Sequence, residues 1–581
     1  MAQNITLLGA SYSDVPAVTL PKTGGGTATF TDVTDTTAAA SDVASGKYFY
    51  TDAGVRTEGT ASGGGSTAPP VVRFIDYDGT ILHEYSATEL ASLSALPSNP
   101  THTGLVSQGW NWTLAEIRAQ VTALPDICVY VGQSYITESG ATEIYCTFED
   151  GALSPCLLMN VTGTAYIDWG DNQTSTVTAT GADTATQHTY ASSGDYCISI
   201  TAESGSEYRL GGNSSSKTVL SDTTMSGTES RRYRAAIKHV RCASDTICYS
   251  YAFYESYQLQ TVTVGLASIS TYEMFDSCYN LKSLTLPHGV TVVSTYAFRR
   301  CYSMQYVSIP PTVTRFGDSA FYESGLLDIT IPTSVTRMDQ NALRETSISY
   351  LHLPSTVTTV GTYVASGNYK LKEAILNTVY TTATISNCRA FDVTIPAGRQ
   401  RIGSYEFSAN RFKSITLPNT VTYIDTYAFN ECNRMTHINI PSSVNTIKGN
   451  AFRSCVALED ITFPSGITTI DSNVLYACYG LVNVVLPSTV TTIAGNAFYQ
   501  CYSLPNITIP AAVTSIAGGA FSSCYGLTEI HLKPTTPPTL GSATVFTGVP
   551  STCVFYVPSA SLNDYKTAQY WSSFASQMVG E

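Results

Sequence analysis

Charge is scarce in this chain: only 13% of its 581 residues are Asp, Glu, Lys or Arg. What charge there is runs acidic, to a net −14. That balance argues against nucleic acid as a partner, because too little is present to neutralise phosphates, and it gives no hold on an anionic membrane. No apolar run is long enough to span a bilayer, so no membrane insertion is expected. The opening MAQNITLLGASYSDVPAVTLPKTGGG lacks the basic stretch and apolar core of a secretory signal. The expectation is a protein assembled inside a cell, or one exported by a route the sequence hides. Catalytic signatures are missing too: there is no GxSxG elbow, no phosphate loop and no HExxH. Histidines are scattered, with His288, His352, His437 and His531 in different stretches and none beside a repeated Ser or Cys. The carboxylates Glu323, Asp425 and Asp471 fall at turn positions of a repeat instead of facing one another as a glycosidase pair. The sequence therefore points away from an enzyme, and from any cofactor or metal.

What is present is Thr, Ser, Gly and Tyr in quantity, which favours strands and turns, and a length that calls for several domains. From about 237 to 534 one sentence recurs, as in LKSLTLPHGVTVVSTYAFRRC (281–301) and LVNVVLPSTVTTIAGNAFYQC (481–501). Pro287, Pro310, Pro332, Pro354, Pro396, Pro418, Pro441, Pro464, Pro487 and Pro510 mark the beat. The aromatic of an AF pair keeps the same step at Phe253, Phe275, Phe298 and Phe321, then Phe407, Phe429, Phe452, Phe498 and Phe521. A fixed period of this size predicts a solenoid, because one unit cannot bury its own apolar face and must stack on its neighbours.

Fifteen cysteines suggest at first a disulfide or metal framework. Cys278, Cys301, Cys432, Cys455, Cys478, Cys501 and Cys524, however, each fall three residues after the AF aromatic or its substitute Leu475. They share one repeat position and are expected to stack as a ladder of free thiols that pack as compact hydrophobes. No CxxC pair or Cys/His cluster is present for zinc.

Within a repeat, Leu281, Leu284 and Leu286 alternate with polar residues up to Pro287, which predicts a short strand ended by proline. Val290 and Val293 predict a second extended edge, and the turn at Ala297 and Phe298 tucks the aromatic inward. Parallel pairing of about fourteen such coils spans roughly 65 Å at one strand spacing each. The pattern LxxIxIPxxVxxIgxxAFxxC resembles the BspA-like leucine-rich repeat family over 237–534. Residues 355–395 depart from it: LKEAILNTVY places Leu376 where proline belongs, and the AF pair is missing, so a bulge or kink is expected there. The tail 535–581 resembles the closing segment of the same family, which implies a final strand and a helix as a cap.

Smaller segments precede the repeats. TASGGGSTAPP (60–70) is a flexible linker by composition. In FIDYDGTIL, Asp76, Asp78 and Thr80 reproduce the nucleophile loop of haloacid-dehalogenase-type phosphatases. The distant lysine and further carboxylates of that enzyme do not follow. The stretch 71–128, with Gly109 and Trp110 as a late GW, instead resembles the Listeria–Bacteroides repeat, which implies a small β-grasp-like module; a helix is predicted over 113–124. Within 129–236, the WGDN turn (Trp169, Gly170, Asp171), HTY (His188, Thr189, Tyr190) and GDYCISI resemble a PKD-type immunoglobulin-like sandwich. Asp168 and Asp171 there either hold calcium or stabilise the turn. Residues 1–59, with DVPAVTLPKTGGG and FTDVTDTTAAASDVASGKYFY, resemble the N-terminal segment of tail or fibre proteins encoded by prophages. The fold class expected is thus mainly β: a leucine-rich repeat solenoid preceded by small β-grasp-like and immunoglobulin-like modules.

The repeats also offer a surface. Tyr251, Tyr296 and Tyr427 stand two places before the AF aromatic or its equivalent, and Tyr254, Tyr322 and Tyr499 one place after it. Tyr279, Tyr302, Tyr479, Tyr502 and Tyr525 follow the ladder cysteine. Tyrosine gives large contact area at low entropy cost, so the stripe is a candidate receptor-binding surface; at any single position the ring either meets a ligand or shields adjacent coils. The modular order suggests a virion fibre anchored to other virion proteins by residues 1–59, which binds a host-surface glycan or protein through its repeats and is a possible homo-oligomer. The alternative is a secreted or surface BspA-like bacterial adhesin.

Overall fold

In the computed structural model the described residues are 69–125, 127–150, 152–212, 218–221, 227–244, 246–264, 273–377, 384–389 and 392–581, with the backbone of short strands between 3 and 58. Those strands pair as antiparallel hairpins: Gln3–Leu7 with Ala10–Val15, Val18–Pro21 with Thr27–Phe30, and Tyr48–Tyr50 with Arg56–Glu58. The rest of the proposed virion-anchoring segment, and most of the 60–70 linker, lie outside the described residues.

The chain divides into two compact units, Met1–Phe74 with Ile81–Ser98 and Thr113–Val129, and Ile75–Thr80 with Asn99–Trp112 and Tyr130–Glu581. In the smaller, the helix expected over 113–124 forms at Leu114–Ala123. The Thr113 hydroxyl accepts from the Glu116 N–H while the Glu116 carboxylate accepts from the Thr113 N–H, a reciprocal cap. Arg118 then donates to the carbonyls of Leu90 and Ala91 at the end of the helix Ala87–Ser92.

The larger unit is the repeat solenoid and what leads into it. The long strand Cys156–Asp168 pairs with Thr174–Gln187 through the WGDN turn and, on other stretches, with Gly194–Ala202 and Glu207–Leu210. Gly194–Ala202 continues to Thr142–Phe148, and that strand pairs antiparallel with Ile237–Arg241. Ile237–Arg241 pairs in parallel with Thr261–Thr263, the first strand of the repeats. One sheet therefore runs from the preceding β module into the solenoid, and one apolar core extends unbroken from Ile144 to Met578.

Each coil turns three times. The strand Ser283–Thr285 pairs in parallel with Tyr306–Ser308 of the next coil, and the second edge Val292–Val293 with Arg315–Phe316. The third side is neither strand nor helix. There, alternate residues donate to the next coil (Tyr296 to Asp318, Phe298 to Ala320, Arg300 to Tyr322, N···O 2.8–3.0 Å), while the residues between close turns within the coil. This alternation demands two left-handed residues per coil. Tyr296 (φ 55) and Arg300 (φ 60), Tyr427 (φ 59) and Glu431 (φ 59), Asn496 (φ 55) and Gln500 (φ 62) are examples. Inside, the rings of Phe253, Phe275, Phe298 and Phe321 stack at 5.3–5.7 Å, and Phe407, Phe429 and Phe452 at 5.4–5.5 Å.

The irregular stretch stays in register. Tyr350–His352, Glu373–Ile375 and Asp392–Thr394 pair in parallel. The register puts Leu376 beside Leu353 in the core and Asn377, not Leu376, in the proline position next to Pro354. Without proline's rigid turn, the Asn377 amide holds the corner by donating to the carbonyls of Pro354 and Val357 at 3.1 and 2.7 Å. The AF places are taken by Val364 and Ala365, then Thr384 and Ile385, and these coils still exchange backbone bonds (Ala365 to Thr384, 2.9 Å; Ile385 to Glu406, 3.3 Å). In the next coil Arg399 occupies the buried valine position and Glu406 the alanine position; the two form an ion pair at 1% and 0% side-chain exposure. Arg399 also donates to the Asn377 carbonyl (2.7 Å), and Glu406 accepts from the Gly403 N–H (2.6 Å). Burial pushes the Glu406 carboxyl above its usual range against the pull of Arg399.

The cysteine ladder is free and buried, and it includes Cys388 from the irregular stretch. Its thiols are more than compact hydrophobes: each donates to the carbonyl of the preceding coil, as Cys278 to Phe253, Cys455 to Phe429 and Cys524 to Phe498 (all 3.1 Å). At two of the places without cysteine, Asn368 and Asn410 stand in, each accepting an N–H of the coil before at 2.7 Å. Burial pushes the Cys388 and Cys524 thiols up to about 12, which leaves them protonated and unreactive at neutral pH. At the C-terminal end Val554–Val557 extends the strand ladder and Met578–Gly580 closes it, with Tyr565 and Trp571 buried between.

Two stability predictions follow from this packing. The buried hydroxyl of Ser324, at the ladder position, has no hydrogen-bond partner, so Ser324→Cys should raise the unfolding midpoint by the equivalent of about 1 kcal/mol, and reducing agent should leave it unchanged. A midpoint that drops in dithiothreitol would mean the ladder forms bridges. Glu406→Ala alone strands the Arg399 charge and should cost about 3–5 kcal/mol, whereas Arg399→Val with Glu406→Ala, which restores the repeat's usual occupants, should be neutral or stabilising. Denaturant unfolding of both variants checks this.

Candidate binding surface

The three tyrosine positions resolve into three different environments. Tyr251, Tyr296 and Tyr427 sit at the first left-handed residue of their coils (φ 69, 55 and 59). Their place is set by a backbone requirement that costs an L-residue about 1–2 kcal/mol, less for Asn and nothing for achiral Gly, which suits Asn450, Asn473, Asn496 and Gly519 to the same place in the four coils after Tyr427. Their rings are half-buried: Arg299 lies 4.0 Å above Tyr296, and Tyr427 stacks on Tyr405 at 4.6 Å.

Tyr254, Tyr322 and Tyr499, one place after the aromatic, are also half-buried and engaged. Tyr254 meets Tyr251 edge-on at 6.0 Å, Arg344 lies 5.5 Å from Tyr322, and Tyr499 stacks on Tyr476 at 4.8 Å. These positions bring coil-to-coil packing more than open surface.

The position after the ladder cysteine is different. Tyr257, Tyr279 and Tyr302 form one column (4.7 and 5.0 Å between rings), and Tyr479, Tyr502 and Tyr525 another (4.8 and 5.4 Å). In the second column the planes lie within 6° and 18° of parallel, so inner ring faces are used up by neighbouring rings and only edges and end faces remain open. Tyr302 is 51% exposed, Tyr479 40% and Tyr525 60%. Glu323 anchors the end of the first column, accepting from Arg300 at 3.1 Å and from the Tyr302 hydroxyl at 3.3 Å. The structure thus brings together Tyr251 with Tyr254, Tyr279 with Tyr302, and Tyr479 with Tyr502 and Tyr525, but keeps Tyr296, Tyr322, Tyr427 and Tyr499 in separate packing positions.

Other residues singled out in the sequence are structural. Both Asp76 oxygens are occupied, one by the Tyr135 hydroxyl at 2.9 Å and the other by the His102 ring at 2.8 Å, and the residue is 5% exposed. That arrangement is a buried polar clamp, unlike an open phosphoryl-attacking carboxylate. Asp168 and Asp171 cap the turn by accepting the N–H groups of Gly170 (2.9 Å) and Gln173 (3.1 Å), and His188 bonds Asp171 at 2.8 Å. Asp425 pairs with Arg401, and Asp471 caps the Ser472 N–H at 2.7 Å. Among the described residues no group of three or more His, Cys, Asp or Glu is placed to hold a metal, and no helix is long and apolar enough to cross a membrane.

A further set of contacts limits what the strand face can offer. Asn111 donates to the Leu286 carbonyl (2.9 Å), Trp112 to the Ile309 carbonyl (2.9 Å), and Ser308 to the Tyr130 carbonyl (2.8 Å). Ser283 and Ser308, on their strands, and Thr330 are buried there, Ser283 donating to the Tyr77 carbonyl (2.9 Å) and Thr330 accepting the Tyr130 N–H (3.0 Å). The early coils therefore present their turn edge and not their strand face. Tyr257, Tyr369, Lys282 and Lys370 are not singled out by the sequence pattern. The readable signal was coil length, since a 22-residue coil drops the ridge tyrosine.

Parallel coils that repeat a strand, an edge and a turn around one core define a leucine-rich repeat β-solenoid of about 14 turns. A family model described as BspA type Leucine rich repeat region matches residues 246–372, 378–505 and 491–547, about half of the chain. The chain belongs to this family. Among solved structures, a leucine-rich repeat protein from Bacteroides ovatus is 20% identical, the match covering 59% of this chain and 88% of that one at a TM-score of 0.46. A leucine rich cell surface protein from Faecalibacterium prausnitzii is 27% identical over 50% of this chain and 70% of that one (TM-score 0.29). A leucine-rich repeat protein from Eubacterium ventriosum is 19% identical over 61% and 92% (TM-score 0.35). No curated protein matches the chain. The family match favours a bacterial surface setting over the virion one.

The left-handed requirement is testable at Asn473 (φ 56). Asn473→Ala should lower stability by about 1 kcal/mol and Asn473→Gly should leave it nearly unchanged, read as the difference in thermal midpoint. Equal loss in both would mean that the asparagine side chain, and not its backbone, matters there.

Proposed function

We propose that this protein is a non-enzymatic surface adhesin, cell-attached or secreted, whose solenoid edge binds an extended ligand on another surface. The observation that carries this reading is the row of exposed tyrosines, Tyr302, Tyr479 and Tyr525, held at one repeat position on a rigid scaffold. Rigid aromatic anchors lose little entropy on binding, and a ligand long enough to touch several coils gains from each. Family membership supports the same class of role. The small β modules before the repeats act as a spacer in this reading. The printed description of one similar structure, a leucine rich cell surface protein, fits this setting.

Labelled full-length chain should attach saturably to bacterial or host-cell surfaces and be displaced by unlabelled chain. Tyr302→Ala, Tyr479→Ala and Tyr525→Ala combined should weaken attachment by about tenfold or more and leave the thermal midpoint in place. Attachment unaffected by the triple variant would reduce these rings to coil shielding, and a chain that attaches to no surface would remove the adhesin role.

A further inference from the structure

The tyrosine ridge is interrupted, and the interruption is built by coil length. Between the ladder residue and the next core leucine-type residue, a 23-residue coil has two residues, as Cys301–Tyr302–Ser303–Met304. The next coils have one: Ser324–Gly325–Leu326 and Thr346–Ser347–Ile348. The hydrogen bonds record the shortcut, since the Ser303 N–H reaches the Tyr279 carbonyl, whereas the Gly325 N–H reaches back to the Cys301 carbonyl (both 3.0 Å). The ridge residue returns at Tyr369, so two coils without a ridge residue lie between Tyr302 and Tyr369, which are 51% and 52% exposed. Three coil steps of about 4.8 Å set these rings roughly 14 Å apart.

Within the gap lies a groove of about 500 Å³ lined by Tyr302, Gly325, Ser347, Lys282, Lys370 and Asp78; Tyr369, next to Lys370 in the chain, stands just outside that lining. Its floor is enforced: a Cβ on Gly325 would stand 1.9 Å from the Tyr302 carbonyl oxygen, so no side chain can fill the notch. Tyr302 packs against Tyr279 at 5.0 Å with the planes tilted by 34°, and its half-exposed ring lines the notch. Lys282 and Lys370 have no carboxylate partner among the described residues, in a chain of net charge −14, although other cations at the coil edges are paired, as Arg299 with Asp276 and Arg300 with Glu323. One Asp78 oxygen accepts the Thr80 N–H at 2.9 Å. A second groove of about 500 Å³ where coils shorten again repeats the basic side chains without an aromatic, with Arg411, Lys413 and Arg434 around Asp392.

Deepening the adhesin reading, on which it rests, we propose that the Tyr302–Tyr369 notch is a saccharide subsite for a carboxylate-bearing (uronic acid type) glycan, with Lys282 and Lys370 receiving the carboxylates. Open aromatic faces stack on pyranose rings, and unpaired ammonium groups form charge-assisted bonds with carboxylates. The second notch continues the track for a polymer. A nucleic acid is disfavoured by the charge of the whole chain.

The test is titration of the full-length protein with polygalacturonate, its fully methyl-esterified form, and inorganic polyphosphate. Binding to polygalacturonate is expected, with a loss of about tenfold or more on esterification, in Lys282→Ala/Lys370→Ala, and in Tyr302→Ala/Tyr369→Ala. Lys566→Ala, on the closing helix, controls for net charge and should bind as the parent does. Equal thermal midpoints establish that the variants are folded. Polygalacturonate binding that ignores the lysine pair, or polyphosphate bound as tightly and without regard to the tyrosine pair, overturns the proposal. Cell attachment of the parent chain, run alongside, separates the two readings: attachment that survives both pairs of substitutions overturns the subsite alone, whereas glycan binding without cell attachment overturns the adhesin role alone.

Discussion

Successive coils are joined residue to residue by backbone hydrogen bonds at a spacing near 4.8 Å, and that register governs everything else in the larger unit. A position taken once is taken many times, so each side chain lies above its own counterpart. Stacked phenylalanines fill the interior, thiols climb one wall, tyrosines and arginines line the edge. Each column must then be self-compatible. Cysteine suits the ladder because it is small and its sulfur reaches the carbonyl of the coil before, whereas the shorter Ser256 and Ser324 leave their hydroxyls buried and unpartnered.

The same register explains how the irregular stretch is tolerated. Loss of proline at Asn377 and of the small apolar residues at Arg399 and Glu406 would each break a coil alone. Together they compensate, since the Asn377 carbonyl accepts from Arg399, which neutralises Glu406. A buried ion pair costs desolvation and is seldom the most stable choice, yet here it keeps the strand ladder parallel on both sides.

The solenoid, its period and the free thiols were legible because they rest on the periodicity of side chains, which the chain prints directly. The left-handed residues were not, because Tyr251, Glu255, Tyr296 and Arg300 are poor markers of positive φ and the strain is imposed by neighbouring coils. The proline place falls on Leu376 by a 22-residue step from Pro354, one residue early, because the coil between is 23 residues long; the strand register, with Tyr350 beside Glu373, puts Asn377 there. The tyrosine stripe was visible as composition but not as geometry. Only stacking distances separate Tyr296, pinned under Arg299, from Tyr525, open to solvent. The paired lysines were invisible because they occupy different places in their coils, and only the missing ridge residues bring them to one groove.

A notch made by a shortened coil also bears on inheritance. Substitutions along the ridge change one ring at a time, but losing one codon between the ladder residue and the next core leucine removes the ridge residue and opens a gap, as at Ser324–Gly325–Leu326. Gaining a codon closes it. Recombination between near-identical repeats would shift such notches by whole coils and leave the core columns intact. Binding range in a chain of this kind can therefore drift through length variation in the gene, with little demand on the residues that hold the fold.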